Sequence, residues 1–190
     1  MAIPTLPTFS AGEILTSDVM NDVSTLGNYQ GLFHIKTQTI GNAVSSVTVT
    51  GAFSSDFDNY LITVTGGTFN TSLVWGQFQF SSAHTTGYYG AAQFIDTAAA
   101  VTNQGTSNLG RLLVTRSSTT TAGVSSWSIN VANPTNAVRK SIWGQSSGGN
   151  MVTHGGYYDS TSSFTQFVLS PTAGTLTGGT IRVYGYRNSL

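Results

Sequence analysis

The chain has 190 residues, seven basic and seven acidic side chains, and only 7% charged residues, against roughly 25% in an average soluble domain. It therefore carries no electrostatic footprint for nucleic acid, an acidic membrane face or a charged polymer. It contains no cysteine, which excludes a disulfide framework, a thiol nucleophile and a zinc-thiolate site.

What remains is a surface of hydroxyls and amides around one substantial core, since a chain of this length can bury roughly 70% of its unfolded surface. No stretch approaches the roughly 20 apolar residues that span a bilayer. The opening MAIPTLPTFSAGEIL lacks the basic-then-apolar order of a secretory signal. The expectation is a protein made and assembled in a cytosol.

Met1 to Phe9 contains Pro4 and Pro7, which withdraw backbone donors and favour extended backbone, with Ile3, Leu6 and Phe9 as apolar beads. It reads as an arm that needs another surface to lie on, the plain alternative being a frayed terminus. Ser10 and Glu13 have capping-box spacing, weakened by Gly12. Thr16 or Ser17 is the better N-cap, and Asp18 suits a first turn. Val19, Met20, Val23 and Leu26 then recur at helical spacing, and Gly27 closes the helix. A helix of about ten residues is shorter than the roughly 12–15 that are already marginal alone in water. It must dock, on its own domain or against the same helix in neighbouring subunits. The second is expected, because arm and helix precede the β pattern as a separate unit.

From Leu32 the period changes to two. Leu32 to Ile40 sets Phe33 and Ile35 against His34, Lys36 and Gln38, and Val44 to Thr50 turns Val47 and Val49 inward. Tyr60 to Thr65 puts Tyr60, Ile62 and Val64 on one side. Leu73 to Phe80 opposes Val74, Phe78 and Phe80 to Trp75, Gln77 and Gln79. After a polar loop, Tyr88-Tyr89 opens a strand toward Phe94-Ile95. Asp96 to Asn108 (DTAAAVTNQGTSN) has no apolar pattern and is expected as an exposed loop. Strands recur at Leu109 to Arg116, Val124 to Val131, Val138 to Gln145 and Met151 to Tyr158, separated by Ser/Thr/Gly or Asn-Pro turns.

The end of the chain reads as an antiparallel hairpin. Phe164, Phe167, Val168 and Leu169 form an apolar run stopped by Ser170-Pro171, and glycines at 174, 178 and 179 precede a strand from Thr180 to Tyr186. Ile181 and Val183 can enter a core. Arg182, Tyr184 and Tyr186 share the other face, which is too aromatic for plain solvent and too polar for a closed core. That is the character of a subunit interface, or of a tyrosine row that simply covers the sheet. The fold expected is mainly β: an antiparallel β-sandwich, jelly-roll-like, preceded by an extended arm and one short N-terminal helix. Residues 1–30 would serve attachment and oligomerisation, and 31–190 would be the β-sandwich. No fixed-period repeat supports a β-helix or propeller.

Three stretches, PTFSAGEILTSDVMNDV, HIKTQTIGNAVSSVTVTGAFSSDFDNYLITVTG and SFTQFVLSPTAGTLTGGTIRVYGYRN, together resemble a family of small structural proteins of tailed bacteriophages, tail-fibre-like or minor tail proteins of the virion. The resemblance covers both ends and the first third of the β region, and leaves out roughly Ser81 to Asn108. It implies an N-terminal virion-attachment segment and a C-terminal β-sandwich, commonly in a trimer. It supplies no catalytic motif.

The chemistry legible in the residues points the same way. Asp56 and Asp58 are the one close acidic pair, but beside Phe57, Asn59 and Tyr60 they read as turn residues rather than a glycosidase or calcium site. His34, His84 and His154 share no ligand spacing. The glycine-rich pieces lack the Lys-Ser/Thr and the helix of a phosphate loop. Binding is easier to support: His84, Tyr88, Tyr89, Asn103, Gln104 and Asn108 combine flat rings with amides, chemistry that suits sugar hydroxyls and ring CH faces.

The expectation is a non-enzymatic, cofactor-free structural protein of the virion, a homotrimeric tail-fibre-like or tail-tip subunit. Its partners would be copies of itself, other virion proteins and a host-surface glycan. The alternative is a capsid decoration or cement (head fibre) protein, and a depolymerase comes third.

Overall fold

The structure, a computed structural model, describes residues 16–17, 31–95, 98–117, 125–148 and 150–186. The attachment residues Ile3, Pro4, Leu6, Pro7 and Phe9, and the helical stripe Val19, Met20, Val23 and Leu26, lie outside the described residues.

The described part is mainly β, with every strand pairing antiparallel. The larger sheet runs, in spatial order, β1 (Leu32–Thr39), β13 (Thr180–Tyr186), β3 (Asn59–Phe69), β8 (Ser125–Ala132), β9 (Lys140–Ser147), β10 (Met151–Tyr158), β5 (Tyr88–Ile95) and β6 (Val101–Leu109). A short β12 (Leu176–Thr177) pairs with the far end of β3. The smaller sheet is β2 (Val47–Val49), β11 (Phe167–Pro171), β4 (Trp75–Gln79) and β7 (Leu112–Arg116). The chain crosses from one sheet to the other after β1, β2, β3 and β4. The β5–β6 hairpin and the β8–β9–β10 meander both stay in the larger sheet.

The two sheets face each other because the strands that line the core each offer one apolar side. Tyr60, Ile62 and Val64 of β3, Trp127, Ile129 and Val131 of β8, and Ile181 and Val183 of β13 meet Val47, Val49, Phe78, Phe167 and Leu169 of the smaller sheet in one buried cluster. Each such side chain fully removed from water contributes roughly 1.5–3 kcal/mol. Aromatic rings fill one end. Tyr88 stacks on Tyr158 at 4.3 Å between centroids, and Phe80 on Phe164 at 4.7 Å. The Tyr60 hydroxyl, buried below Phe53 and Phe57, donates to the Ser54 carbonyl at 2.6 Å and accepts from the Ser54 N–H at 2.8 Å. Desolvation raises its pKa.

Three expectations are corrected. Phe167–Pro171 and Thr180–Tyr186 are not a hairpin: β11 pairs with β2 and β4 in the smaller sheet, and β13 with β1 and β3 in the larger. The stretch between them crosses the core, and β12 is formed on the way. Residues 101–109, expected as loop, form β6, held by backbone pairing to β5 rather than by any apolar face. Lys36 and Gln38 do not share the outer side with His34, because a bulge between His34 and Lys36 reverses the alternation. Both turn inward at the sandwich edge, where they donate to the carbonyls of Thr50 and Thr48 beside β2.

Candidate functional site

The smaller sheet buries one face, and the larger sheet leaves its opposite face open. Period-two alternation puts Tyr184 and Tyr186 of β13, Asn130 of β8, Trp143 of β9, Tyr157 of β10 and Tyr89 of β5 on that outer face, since Val183, Ile129, Ile142, Tyr158 and Tyr88 beside them point into the core. Trp143 is 45% exposed, the one tryptophan among the described residues that presents so much ring to solvent.

Trp143 and Tyr186 flank a slot of about 270 Å³ with Asn59 and Asn130 between them. The Tyr186 hydroxyl donates to Asn130 Oδ1 at 3.1 Å, and Asn130 Nδ2 reaches the Trp143 carbonyl at 3.5 Å. This orients the amide beneath the two rings. Past Asn130 toward the far end of β8, a second hollow of about 440 Å³ is lined by hydroxyls and an amide, among them Thr63, Ser128, Gln145 and Thr153, together with the exposed side chain of Met151. On the other side Tyr89 and Tyr157 stack at 5.2 Å with 20° between planes, and the Arg139 guanidinium sits 4.4 Å from the Tyr157 ring centre while pairing with Asp159 at 3.1 Å. Arg182, on β13 one strand in from the sheet edge, donates to Thr65 Oγ1 beside the second hollow at 3.3 Å.

The expected contact residues separate. Tyr89 and Asn103 reach the outer face, where Gln93 Nε2 donates to Asn103 Oδ1 at 3.2 Å. Gln104 is exposed but stands opposite Ala92 on the reverse side of β6. Asn108, in left-handed backbone at φ 53°, accepts from the Gly87 N–H at 3.0 Å and shapes the turn before β5. His84 packs on Tyr158 and Phe164 beside a pocket of about 350 Å³ over the outer side of the smaller sheet, where Arg111 donates to Gln77 at 2.9 Å. Tyr88 is wholly buried, its hydroxyl accepting from the Phe80 N–H at 2.6 Å, and burial raises its pKa. That removes Tyr88 from the exposed set, because an inward tyrosine in this core meets no partner molecule.

No family model, curated protein or solved structure matches the chain. The chemistry of the face is therefore the guide to what it does. Flat rings beside amides and hydroxyls, with few charged side chains among them, can stack on ring CH groups and exchange hydrogen bonds with hydroxyls. Arg182, Tyr184 and Tyr186, expected at a subunit interface, share this same face, and each has a partner within the chain: Thr65, His34 at 5.6 Å edge-on, and Asn130 respectively.

Elsewhere the polar residues serve the fold. Asp56 accepts from the Ser54 hydroxyl at 3.1 Å and Asp58 from Asn136 Nδ2 at 2.9 Å, both in turns as the sequence implies. Among the described residues no three His, Cys, Asp or Glu side chains converge as metal ligands, and no helix is long and apolar enough to cross a membrane. His154 points inward, 3% exposed, and burial lowers its pKa to about 4. Neither ring nitrogen finds a partner at hydrogen-bonding geometry, and the nearby Val114 backbone, which favours the charged form, is outweighed by the burial.

Sequence reasoning missed Trp143 and Asn130. The signal was present in the alternation from Val138 to Gln145, where Trp143 has the parity opposite Ile142. Nothing in that stretch says which parity faces water.

Proposed function

We propose that the chain is a non-enzymatic structural protein of a tailed-bacteriophage virion, a homotrimeric tail-fibre-like or tail-tip subunit whose larger sheet meets a neutral glycan on the host surface. The virion assignment is supported by the three stretches whose residues resemble that family. The binding role is carried by one observation: Trp143 and Tyr186 flanking the Asn130 amide in a slot whose lining carries no charged side chain. A single shallow site of this kind binds weakly, so repeated copies on one particle would supply the avidity. The undescribed arm and short helix over residues 1–30 would attach the subunit.

The strand order supports a finer reading of the fold. The runs β1-β13-β3-β8 and β2-β11-β4-β7 are what two interlocked Greek keys produce, a jelly roll of eight strands in two sheets. On this reading the β5–β6 and β9–β10 pairs are insertions that widen one sheet, and Trp143, Tyr157 and Tyr89 all lie on them.

Electron microscopy of intact particles labelled with antibody to the β-domain tests the assignment. Label at the tail, with soluble protein competing for adsorption, is the expected result. Label on the head, with adsorption unchanged by the soluble protein, would replace it with capsid decoration. Sedimentation of the purified chain should give a trimer, and a 19.9 kDa monomer at working concentration would end that part of the proposal.

A further inference from the structure

The loop after β4 and the turn between β6 and β7 meet on the outer side of the smaller sheet, and two contacts fix how they meet. Asn108 Oδ1 accepts from the Gly87 N–H at 3.0 Å. At Gly110 a Cβ would come within 2.8 Å of the His84 carbonyl oxygen and 3.0 Å of the Thr85 Cα. Gly110 is glycine because the two backbones touch there, which brings Arg111 to the same pocket as His84. The His84 ring is held in turn against Tyr158 at 5.3 Å and edge-on to Phe164 at 5.4 Å.

These contacts enclose the pocket of about 350 Å³. Its floor is the outward side of β11 and β4, because Phe167, Leu169 and Phe78 turn into the core and leave Ser170 and Gln79 facing the other way. Ser170 is 7% exposed, and its hydroxyl has no hydrogen-bond partner. A buried hydroxyl left without a partner costs free energy, and this one stands on the side of the sheet that the pocket covers. Gln77 lies directly opposite Ser170 in the β4–β11 register and accepts from the Arg111 guanidinium at 2.9 Å. Cross-strand neighbours on one face have Cβ atoms about 5 Å apart, so Gln77 holds the guanidinium close to the Ser170 hydroxyl. No Asp or Glu lines the pocket. A guanidinium has five N–H donors, and Gln77 takes one of those that Arg111 offers.

We infer that this pocket binds one acidic sugar ring, with the oxyanion of the sugar on Arg111 and the Ser170 hydroxyl. The remaining sugar hydroxyls meet Ser46, Ser82 and Thr85, which line the pocket and are exposed. A guanidinium recognises an oxyanion through paired N–H donors, and a buried hydroxyl beside it gains the partner that the fold does not supply. One arginine suits a ligand with a single negative charge, so a polyanion gains little here. The volume lies near the lower end of the roughly 300–1,000 Å³ of small-molecule sites, which fits a single ring rather than a chain of them. Because both loops are already fixed by Asn108 and Gly110, binding costs little further ordering. The pocket is on the opposite side of the sandwich from Trp143, and the inference is independent of the reading of that face and of the virion assignment.

The test uses the purified full-length chain, with glucuronate, galacturonate, glucose 6-sulfate and glucose 6-phosphate as ligands and glucose, acetate and inorganic phosphate as controls, read by calorimetry. The expected result is saturable binding of at least one acidic sugar, with glucose bound tenfold or more weakly. The carboxylate and ester arms show which oxyanion the pocket takes. Arg111→Gln, at an exposed position, should weaken that binding roughly tenfold or more and leave the melting temperature unchanged. Ser170→Ala should weaken it severalfold while melting no lower than the parent, since the hydroxyl it removes has no partner in the fold. Trp143→Ala should leave it unaltered. The pocket is overturned if no acidic sugar binds, if glucose binds as well as its acids, or if Arg111→Gln keeps the parent affinity. Acetate or inorganic phosphate binding as tightly as the sugar acids would make it a site for an adventitious ion only. Loss of acidic-sugar binding in Trp143→Ala would move the site to the larger sheet.

Discussion

The hydroxyl of Tyr186 reaches across β3 to the side-chain oxygen of Asn130 on β8, at 3.1 Å. This bond fixes one wall of the slot below Trp143 without passing through the core. Because both groups are solvent-accessible, water can replace either partner, and Tyr186→Phe should change the unfolding free energy by less than about 1 kcal/mol. Urea titration measures it. A loss of several kcal/mol would show that the tyrosine serves the fold rather than the face.

His154 makes stability depend on pH. Its folded pKa of about 4 lies below its ordinary value of 6.5, so between those values the unfolded chain binds the proton more readily than the native one. The native state is therefore unpenalised above pH 6.5 and loses roughly 3 kcal/mol as the pH falls to 4. His154→Met keeps an apolar side chain of similar bulk in place and should flatten this part of the profile. Denaturation midpoints measured from pH 7 to 4 that fall equally steeply in parent and variant would trace the acid sensitivity to another group.

Gly155 and Gly156 are neighbours with opposite demands. Gly156→Ala drives a methyl group against Leu112 and the Gly90 backbone and should cost about 1–3 kcal/mol through overpacking. Gly155→Ala meets only the Trp143 Cβ at ordinary contact distance and should leave the melting temperature unchanged or raise it. Equal destabilisation by both would contradict the inward and outward assignment of β10.

Tyr60→Phe removes a hydroxyl that closes the Ser54 turn from inside the core. The Ser54 N–H and carbonyl both lose this partner, and the cost should be about 1–3 kcal/mol, visible as a lower urea midpoint with an unchanged slope. A neutral result would mean that water takes over both groups.

Deleting Met1 to Phe9 should leave the β-domain folded, with its melting temperature unchanged, and abolish incorporation into particles. Incorporation at the parent level, measured on purified virions by immunoblot, would remove the attachment role from the arm.

Several elements were legible in the residues because a half-buried strand writes its burial into a period of two. Tyr60, Ile62 and Val64 point inward as their alternation says, and Trp75, Gln77 and Gln79 oppose Phe78 as expected. Other features left no such trace. The strand at 101–109 has eight exposed positions and one buried, so backbone pairing to β5 makes it a strand and its composition says loop. The bulge that turns Lys36 and Gln38 inward depends on which neighbour β1 meets. The two apolar runs near the C-terminus look alike whether they pair with each other or with strands in opposite sheets.

By itself the sequence determined a neutral, cysteine-free, mainly β chain with no cluster of charge, and which residues of most strands share a side, because composition and alternation are local properties. Only the tertiary structure decided which sheet each strand joins, which tyrosine of the Tyr88-Tyr89 pair is buried, and that Trp143, Tyr186 and Asn130 stand together. Those facts depend on pairing between strands far apart in the chain, where neighbours are chosen by the burial of a shared core.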